Sequence, residues 1–205
     1  MIDFWNQRYS DPTFAYGKLP NEFFKEQLQR LPPNSKILFP AEGEGRNAVY
    51  AATQGHSVWA FDQSEQGKIK AISLAEERGV QIQYDVFSAS AVEYQQHQFD
   101  AIVLIYAHFH QSQRHELHQR FLHWLKPNGT VILEAFSQNH PPFQQEYPHV
   151  GGPSSPELLY SEEILHQDFP NFEIHTLKTE VIELQEGNCH SGKGSVVRFV
   201  GTLSS

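Results

Sequence analysis

The chain has 205 residues, a formal net charge of −9 and one cysteine, Cys189. Its length predicts a single domain, residues 1–205, that buries roughly 70% of the surface of the extended chain. One cysteine excludes an internal disulfide, and the acidic balance argues against nucleic acid as a partner. No signal peptide is expected, and the longest apolar run, 101–107, is too short to span a bilayer. A cytoplasmic enzyme or small-ligand binder is therefore predicted.

Short apolar runs alternate with amphipathic stretches along most of the chain, which indicates strands and helices in turn. The predicted elements are, in chain order, an aromatic leader, helix 20–31, strand 36–39, helix 44–53, strand 57–62, a helix capped by Ser64 and ending near 78, strand 80–84, strand 99–106, helix 112–125, strand 130–136, a long loop 137–156, helix 161–169, and strands 172–184 and 195–203. This alternation predicts a doubly wound α/β fold whose mostly parallel sheet has helices on both faces.

A loop rich in glycine and glutamate follows the first predicted strand. It reads Ala41-Glu42-Gly43-Glu44-Gly45-Arg46-Asn47. Ligands of open parallel sheets bind at the carboxyl ends of the strands, where the next helix presents its N–H groups. A dinucleotide loop needs a third glycine, and the glutamates would repel a pyrophosphate. S-adenosylmethionine, a cation whose ribose carries no phosphate, fits this loop better, and a NAD-dependent oxidoreductase is the remoter alternative.

Two further acids mark the ends of the next predicted strands. Asp62, after the second strand, is placed to accept hydrogen bonds from both ribose hydroxyls, a role that also serves NAD. Asp85, after the third strand, is placed to accept from the adenine amine, with Val86 supplying a backbone N–H. Each acid alone is more often a solvated strand-end residue, but together with the glycine loop they predict a nucleotide site.

The segment 37–48 resembles the nucleotide-binding loop of class I S-adenosylmethionine-dependent methyltransferases, especially small members of the tellurite-resistance and thiopurine-methyltransferase type. The resemblance covers nearly the whole chain. It implies a seven-stranded sheet of order 3-2-1-4-5-7-6 with strand 7 antiparallel, residues 1–35 covering the site and 36–205 forming a Rossmann-like core. Phe39 and Ala41 depart from the family, which usually has an acid and a glycine there. A non-catalytic module that binds S-adenosylmethionine or S-adenosylhomocysteine is therefore the main alternative.

The resemblance and the strand ends together predict a set of cofactor contacts. These are Ala41, Glu42, Gly43, Gly45, Asn47, Asp62, Gln63, Asp85, Val86, Tyr106, Tyr16 and Trp5. The leader aromatics Trp5, Tyr9, Phe14 and Tyr16 either cover the site or simply bury on the core. An aromatic cover would suit a sulfonium, because ring faces attract cations.

The fourth predicted strand ends in Tyr106 and His108, which we assign as candidate catalytic residues. Histidine titrates near neutral pH, so His108 is a candidate general base, with packing at a strand end as the alternative. Cys189 and His190, in the loop between the last two strands, are predicted to contact substrate. A cysteine nucleophile is not required for methyl transfer to a small molecule.

Two histidine pairs, His108/His110 and His115/His118, have a spacing that zinc sites use. No carboxylate completes a familiar metal pattern around them, so no metal is predicted. The sequence as a whole predicts a methyltransferase, using S-adenosylmethionine and releasing S-adenosylhomocysteine. Its acceptor is predicted to be a small-molecule thiol, chalcogen or other heteroatom, with no nucleic-acid or membrane partner and a monomeric or homodimeric state.

Overall fold

The computed structural model describes residues 2–204, so Met1 and Ser205 lie outside the described residues. The helices are α1 (Ile2–Tyr9), α2 (Glu22–Leu28), α3 (Arg46–Thr53), α4 (Glu65–Glu77), α5 (Gln111–Trp124), α6 (Pro141–Glu146) and α7 (Glu162–Asp168). The strands are β1 (Lys36–Pro40), β2 (Ser57–Asp62), β3 (Gln83–Val86), β4 (Phe99–Ile105), β5 (Leu125–Phe136), β6 (Phe172–Glu186) and β7 (His190–Leu203). Between residues 2 and 204, no helix has the length and apolar character needed to cross a lipid bilayer.

The seven strands form one sheet in the order β3-β2-β1-β4-β5-β7-β6. Strands β1 to β5 pair in parallel, whereas β7 is antiparallel to both of its neighbours. The predicted strand order and the antiparallel seventh strand are confirmed. The strand order changes direction between β1 and β4, and ligands of such sheets bind in the crevice beyond the carboxyl ends at this point.

The apolar run of β4 follows from its place in the middle of the sheet. Ile102 and Leu104 point to one face, where they pack in a core that includes residues of α5 and α7. Val103 and Ile105 point to the other face, towards residues of α2, α3 and α4. Both faces are therefore covered by helices, as the uninterrupted apolar pattern predicts.

Side-chain caps set the starts of several helices. Ser64 and Ser161 each accept a hydrogen bond from the backbone N–H three residues on, which confirms the predicted Ser64 cap and shows that Ser161 caps the helix predicted to begin there. Helix α2 is shorter than predicted, because the Asn21 side chain accepts from the Phe24 N–H and starts the helix at Glu22.

The third and fifth strands differ from their predicted bounds. Strand β3 begins at Gln83, so Asp85 lies inside the strand and not after it. Strand β5 begins at Leu125, and its pairing with β4 jumps from Leu125 to Thr130. The predicted turn at 127–129 is therefore an irregular stretch within the strand, where the chain bulges without leaving the sheet.

The last third of the chain contains more regular structure than predicted. The expected loop 137–156 holds the short helix α6 (Pro141–Glu146). Strands β6 and β7 continue to Glu186 and His190, which pair with each other and leave a three-residue tip. The glycines of β7 resemble a loop in sequence, but cross-strand pairing over this length extends the ladder through them.

Candidate functional site

The glycine loop leaves β1 through a series of left-handed residues. Ala41, Gly43 and Gly45 have φ of 52°, 62° and 82°. The loop therefore makes its turn at Ala41 although the resembling family has glycine there. A Cβ on Gly45 would lie 2.5 Å from the Cβ of Ala71, so glycine at this position lets α4 pack against the loop.

Glu42 caps the helix that follows the loop. Its Oε1 accepts hydrogen bonds from the N–H groups of Asn47 (2.9 Å) and Ala48 (2.8 Å) at the N-terminus of α3. Burial raises the pKa of Glu42 to about 7, even though these donors favour the charged form. The side chain of Asn47, a predicted cofactor contact, accepts a hydrogen bond from the Asn21 N–H at its Oδ1.

We expect the substitution Glu42→Gln to change how stability depends on pH. The pKa of Glu42 is about 7 in the folded chain against 4.5 ordinarily, so its stabilising contribution is lost as pH rises through 7. From pH 5 to pH 8 this loss amounts to about 2 kcal/mol in the wild type. Glutamine keeps the acceptor oxygen and does not titrate. Urea denaturation at both pH values measures the free energy of unfolding. Relative to the wild type, the variant should be more stable at pH 8 than it is at pH 5. The same difference in stability at both pH values would contradict the assignment.

Asp62 joins the end of β2 to the glycine loop. Its carboxylate is only 7% exposed and accepts from the N–H groups of Gly43 (3.2 Å) and Ser64 (2.9 Å). Burial raises its pKa to about 6, so it is mostly ionised at pH 7. The two features that predicted a nucleotide site therefore lie in direct contact.

The predicted adenine side of the site is less free than expected. The Asp85 carboxylate accepts a hydrogen bond from the Tyr94 hydroxyl at 3.1 Å, inside β3 and not at its end. Val86 pairs in register with Asp62 on the adjacent strand. Gln63 follows Asp62 and is half-buried, and its backbone N–H faces the Asp62 carboxylate.

The leader is tied to the glycine loop through a buried acid. Glu44 accepts from the N–H groups of Ala15 (3.1 Å) and Tyr16 (3.4 Å), and from the Lys70 ammonium at 2.7 Å. Its side chain is 3% exposed. Glu44 is thus fully engaged in holding the leader and α4 against the loop.

The four leader aromatics occupy three different places. Trp5 stacks on Tyr9 with ring centroids 5.4 Å apart, and the Tyr9 hydroxyl lies 2.5 Å from the point where a Gly43 side chain would begin. Tyr16 reaches the tip of the β6–β7 hairpin. Phe14 packs with the small cluster that contains Val49 and therefore does not cover the site.

Aromatic rings from three parts of the chain surround His190. Its ring centroid lies 4.6 Å from Tyr16, 4.5 Å from Tyr106 and 5.2 Å from Phe136. These rings come from the leader, the end of β4 and the end of β5. Tyr106 has φ of 54°, a rare conformation for a bulky residue that costs about 1–3 kcal/mol. Backbone strain of this size is typical of functional sites. The ring cluster around His190 is therefore a candidate for one.

His190 is oriented by a charged partner on the same hairpin. Its Nδ1 lies 2.9 Å from Glu186, which also pairs with Arg46 of α3 at 2.9 Å. Burial opposes ionisation of Glu186, but Arg46 and His190 outweigh it and lower the pKa of Glu186 to about 2. The neighbouring Cys189 donates its backbone N–H to Ala15, which places the hairpin tip against the leader.

His108 is engaged by backbone groups on both sides of its ring. Nδ1 lies 2.8 Å from the Leu158 carbonyl, and Nε2 lies 3.4 Å from the Phe136 N–H. Burial lowers the pKa of His108 to about 4. A neutral ring that donates from Nδ1 and accepts at Nε2 ties residues 158 and 136 to the end of β4. This geometry favours the alternative of packing at the strand end, and the role of general base for His108 stays a prediction.

The second catalytic prediction, Tyr106, has its hydroxyl bound to a buried acid that the sequence interpretation missed. Glu134, which is fully buried, accepts from Tyr106 (2.8 Å), Asn21 (2.6 Å) and Arg198 (2.5 Å). Burial raises the pKa of Tyr106 far above its usual value, and Glu134 adds to this. The sequence signal that could have revealed this network is a lone glutamate in the apolar run of β5.

The histidine pairs are explained by an acid on α7. His115 and His118 each place Nδ1 2.8 Å from Asp168, and His110 caps α5. In the part of the chain that the structure describes, no three histidine, cysteine, aspartate or glutamate side chains are arranged to hold a metal ion. The i, i+3 spacing here fastens α5 to α7.

Residues 37–129 match the sequence model of a family described as "Methyltransferase domain". Over this segment, which is less than half of the chain, the sequence is similar to a methyltransferase domain. The matched segment includes the glycine loop, Asp62 and the end of β4. A search of curated protein sequences found no match.

Solved structures share the whole fold of this chain. A protein from work on the conversion of a disulfide bond into a thioacetal group during echinomycin biosynthesis has a TM-score of 0.78 at 16% identity, covering 100% of this chain and 92% of the other. TehB from Haemophilus influenzae has a TM-score of 0.71 at 15% identity, and the alignment covers 99% of this chain and 67% of TehB. The Burkholderia thailandensis 1,6-didemethyltoxoflavin-N1-methyltransferase was solved with 1,6-didemethyltoxoflavin and S-adenosylhomocysteine bound. Its TM-score is 0.70 at 16% identity, and the alignment covers 99% of this chain and 87% of the other. At such identities the likeness is one of fold.

Proposed function

We propose that the chain is an S-adenosylmethionine-dependent methyltransferase that acts on a small-molecule thiol, chalcogen or other heteroatom nucleophile. The observation that carries this proposal is the contact between buried Asp62 and the Gly43 N–H, at the carboxyl edge of β1 and β2. Asp62 could accept hydrogen bonds from ribose hydroxyls there. It lies directly beside a glycine loop whose backbone a ligand can approach closely.

The residues at this edge suit S-adenosylmethionine better than a dinucleotide. Glu42 and Asp62 are carboxylates whose burial favours a cationic or neutral ligand over a pyrophosphate. Asp62 would hold the ribose, Asp85 and Val86 would face the adenine, and the ring of Tyr106 would lie at the sulfonium end. Aromatic faces stabilise a cation within about 6 Å, so a ring there suits a sulfonium.

When bound, S-adenosylmethionine supplies an electrophilic methyl group. The chain contributes alignment, which is worth about 7–11 kcal/mol of the barrier in well-oriented reactions. The rings of Tyr16, Tyr106 and Phe136 exclude water from the space around His190. These enclosing rings favour a small acceptor that enters between the leader and the β6–β7 hairpin. The Burkholderia relative, whose ligand is a small heterocycle, supports an acceptor of this size.

We expect the pure protein to bind S-adenosylhomocysteine in calorimetry and not NADH. The substitution Asp62→Ala should weaken the first affinity tenfold or more, about 1.4 kcal/mol, because it removes the ribose acceptor. Asp100→Ala is the matched control, since Asp100 lies at the opposite end of β4 and pairs with Lys126. This control should bind as the wild type does.

Three outcomes separate the candidate functions. Absence of heat with S-adenosylhomocysteine would overturn the proposal, and binding of NADH alone would favour an oxidoreductase. Cofactor binding without turnover of a panel of thiols, selenium and tellurium oxyanions and amines would favour a binding module. A cytoplasmic location, a single domain and a monomeric or homodimeric state without nucleic-acid or membrane partners complete the proposal.

A further inference from the structure

His190 has a ring nitrogen that the fold leaves without a hydrogen-bond partner. The side chain is 4% exposed. Because the pKa of Glu186 is about 2, that carboxylate is ionised at neutral pH and Nδ1 of His190 must donate to it. The lone pair of the neutral ring therefore lies on Nε2. Among residues 2–204, Nε2 of His190 makes no hydrogen bond, and it is not one of the unpartnered side-chain atoms that are sealed from solvent, so a small group can reach it.

A glycine lies beside Nε2, at a position where a side chain would cover this edge of the ring. A Cβ on Gly151, whose φ is 75°, would lie 3.2 Å from Nε2 and 2.6 Å from the adjacent ring carbon. The absence of a side chain at Gly151 thus keeps this side of the ring open. On the other sides the ring meets Tyr16, Tyr106 and Phe136. An acceptor that reaches the Nε2 edge of the ring would meet this nitrogen lone pair.

We propose that His190 is the proton acceptor of the methyl transfer and that Glu186 is its positioning residue. The inference rests on the proposed function and deepens it, because it selects acceptors that carry a proton on the reacting atom. That atom forms a bond to the methyl carbon, while the carbon–sulfur bond of the sulfonium breaks and leaves its electron pair on sulfur. The proton of the acceptor passes to Nε2 of His190 and from there to water.

The two histidines at this edge differ in what their nitrogens do. Both ring nitrogens of His108 face backbone groups, at Leu158 and Phe136. His190 instead has one nitrogen fixed by a carboxylate and the other unpartnered, which is the arrangement expected of an oriented base.

The charged and titratable groups around His190 determine its pH behaviour. They are Glu186 and Cys189 of the hairpin, Arg46 of α3, Tyr106 and Glu134 of the sheet, Tyr16 with its partner Arg8 in the leader, and His108 and His140. Burial is the largest influence and lowers the pKa of His190 below its usual 6.5, although Glu186 opposes this. The base is therefore neutral at pH 7, and turnover should fall only as pH drops below about 6.5.

The test uses the full chain, S-adenosylmethionine and benzyl thiol, whose thiol is protonated at pH 6.5. His190→Gln should lower kcat about 100-fold at pH 6.5, as expected for loss of a general base. The deficit should shrink below tenfold near pH 10, where the acceptor ionises without help. Glu186→Gln should give a smaller loss with a shifted pH profile. S-adenosylhomocysteine affinity should stay within threefold in both variants, which verifies that they fold.

His175→Gln is the matched control, because His175 is an exposed histidine of the same hairpin. It should leave kcat unchanged. An unchanged kcat in His190→Gln, or an equal loss at every pH, overturns the inference and leaves the proposed function intact. A wild type that binds S-adenosylhomocysteine but methylates no thiol, selenium, tellurium or amine acceptor overturns the proposed function, and the inference with it.

Discussion

Replacing Glu134 with alanine is expected to lower the free energy of unfolding by about 3–5 kcal/mol. Glu134 is fully buried in β5 and accepts from Arg198, Asn21 and Tyr106. Its removal leaves the Arg198 guanidinium with Glu180 as its acid partner, the Tyr106 hydroxyl without its acceptor, and the Asn21 amide with Glu186 alone. The cost of an uncompensated buried charge makes this one of the two largest effects that we predict.

Urea denaturation at pH 7 measures this loss directly. Glu183→Ala is the control, because Glu183 is an exposed acid on β6, at the edge of the same sheet, and should change stability by no more than about 0.5 kcal/mol. Glu134→Gln should fall between the two, since the amide still accepts but no longer neutralises Arg198. A loss below 1 kcal/mol in the alanine variant would show that the network is not held together by this carboxylate.

The second large effect is expected for Gly45→Ala, at the start of α3. A left-handed φ of 82° costs a non-glycine residue about 1–2 kcal/mol. The new methyl group would also lie 2.5 Å from the Cβ and 2.9 Å from the Cα of Ala71, and such crowding adds about 1–3 kcal/mol. The sum is about 2–5 kcal/mol, and α4 must move away from the loop to relieve the contact.

Gly55→Ala separates the two contributions. Gly55 has a similar φ of 89°, but an added Cβ would meet nothing within 4 Å. Its loss of stability should therefore be limited to the backbone cost of about 1–2 kcal/mol. Thermal or urea unfolding of both variants provides the comparison, and equal losses would mean that the contact with Ala71 relaxes freely. Under the proposed function, Gly45→Ala should also weaken S-adenosylhomocysteine binding more than Gly55→Ala does.

Much of the sheet was predictable because most of its strands and helix starts follow from the pattern of residues close together in sequence. The apolar run of β4 indicated a strand covered on both faces, and both Ser64 and Ser161 cap the helices expected to follow them. Strand ends were harder where cross-strand pairing outweighs local preference. Strands β6 and β7 run on to Glu186 and His190 because each supplies the other's hydrogen bonds.

The buried polar network was not predictable, since its members are far apart in sequence. Asn21 bonds to Glu134 and Glu186, which lie 113 and 165 residues away. Neither helical nor strand periodicity carries information over such distances. A lone acid in an apolar strand shows that a partner must exist, but only the packed fold shows that this partner is Arg198.

The sequence by itself determined the strand–helix alternation, the glycine loop and the acid Asp62 at the next strand end, because these depend on short-range pattern and on the common edge of a parallel sheet. Only the tertiary structure shows which ring nitrogens of the two histidines have hydrogen-bond partners. His108 lies where a base was expected, yet Leu158 and Phe136 occupy its ring nitrogens. His190 keeps one nitrogen unpartnered because Glu186 binds the other. Which hydrogen bonds a side chain makes depends on elements that meet only when the chain is folded.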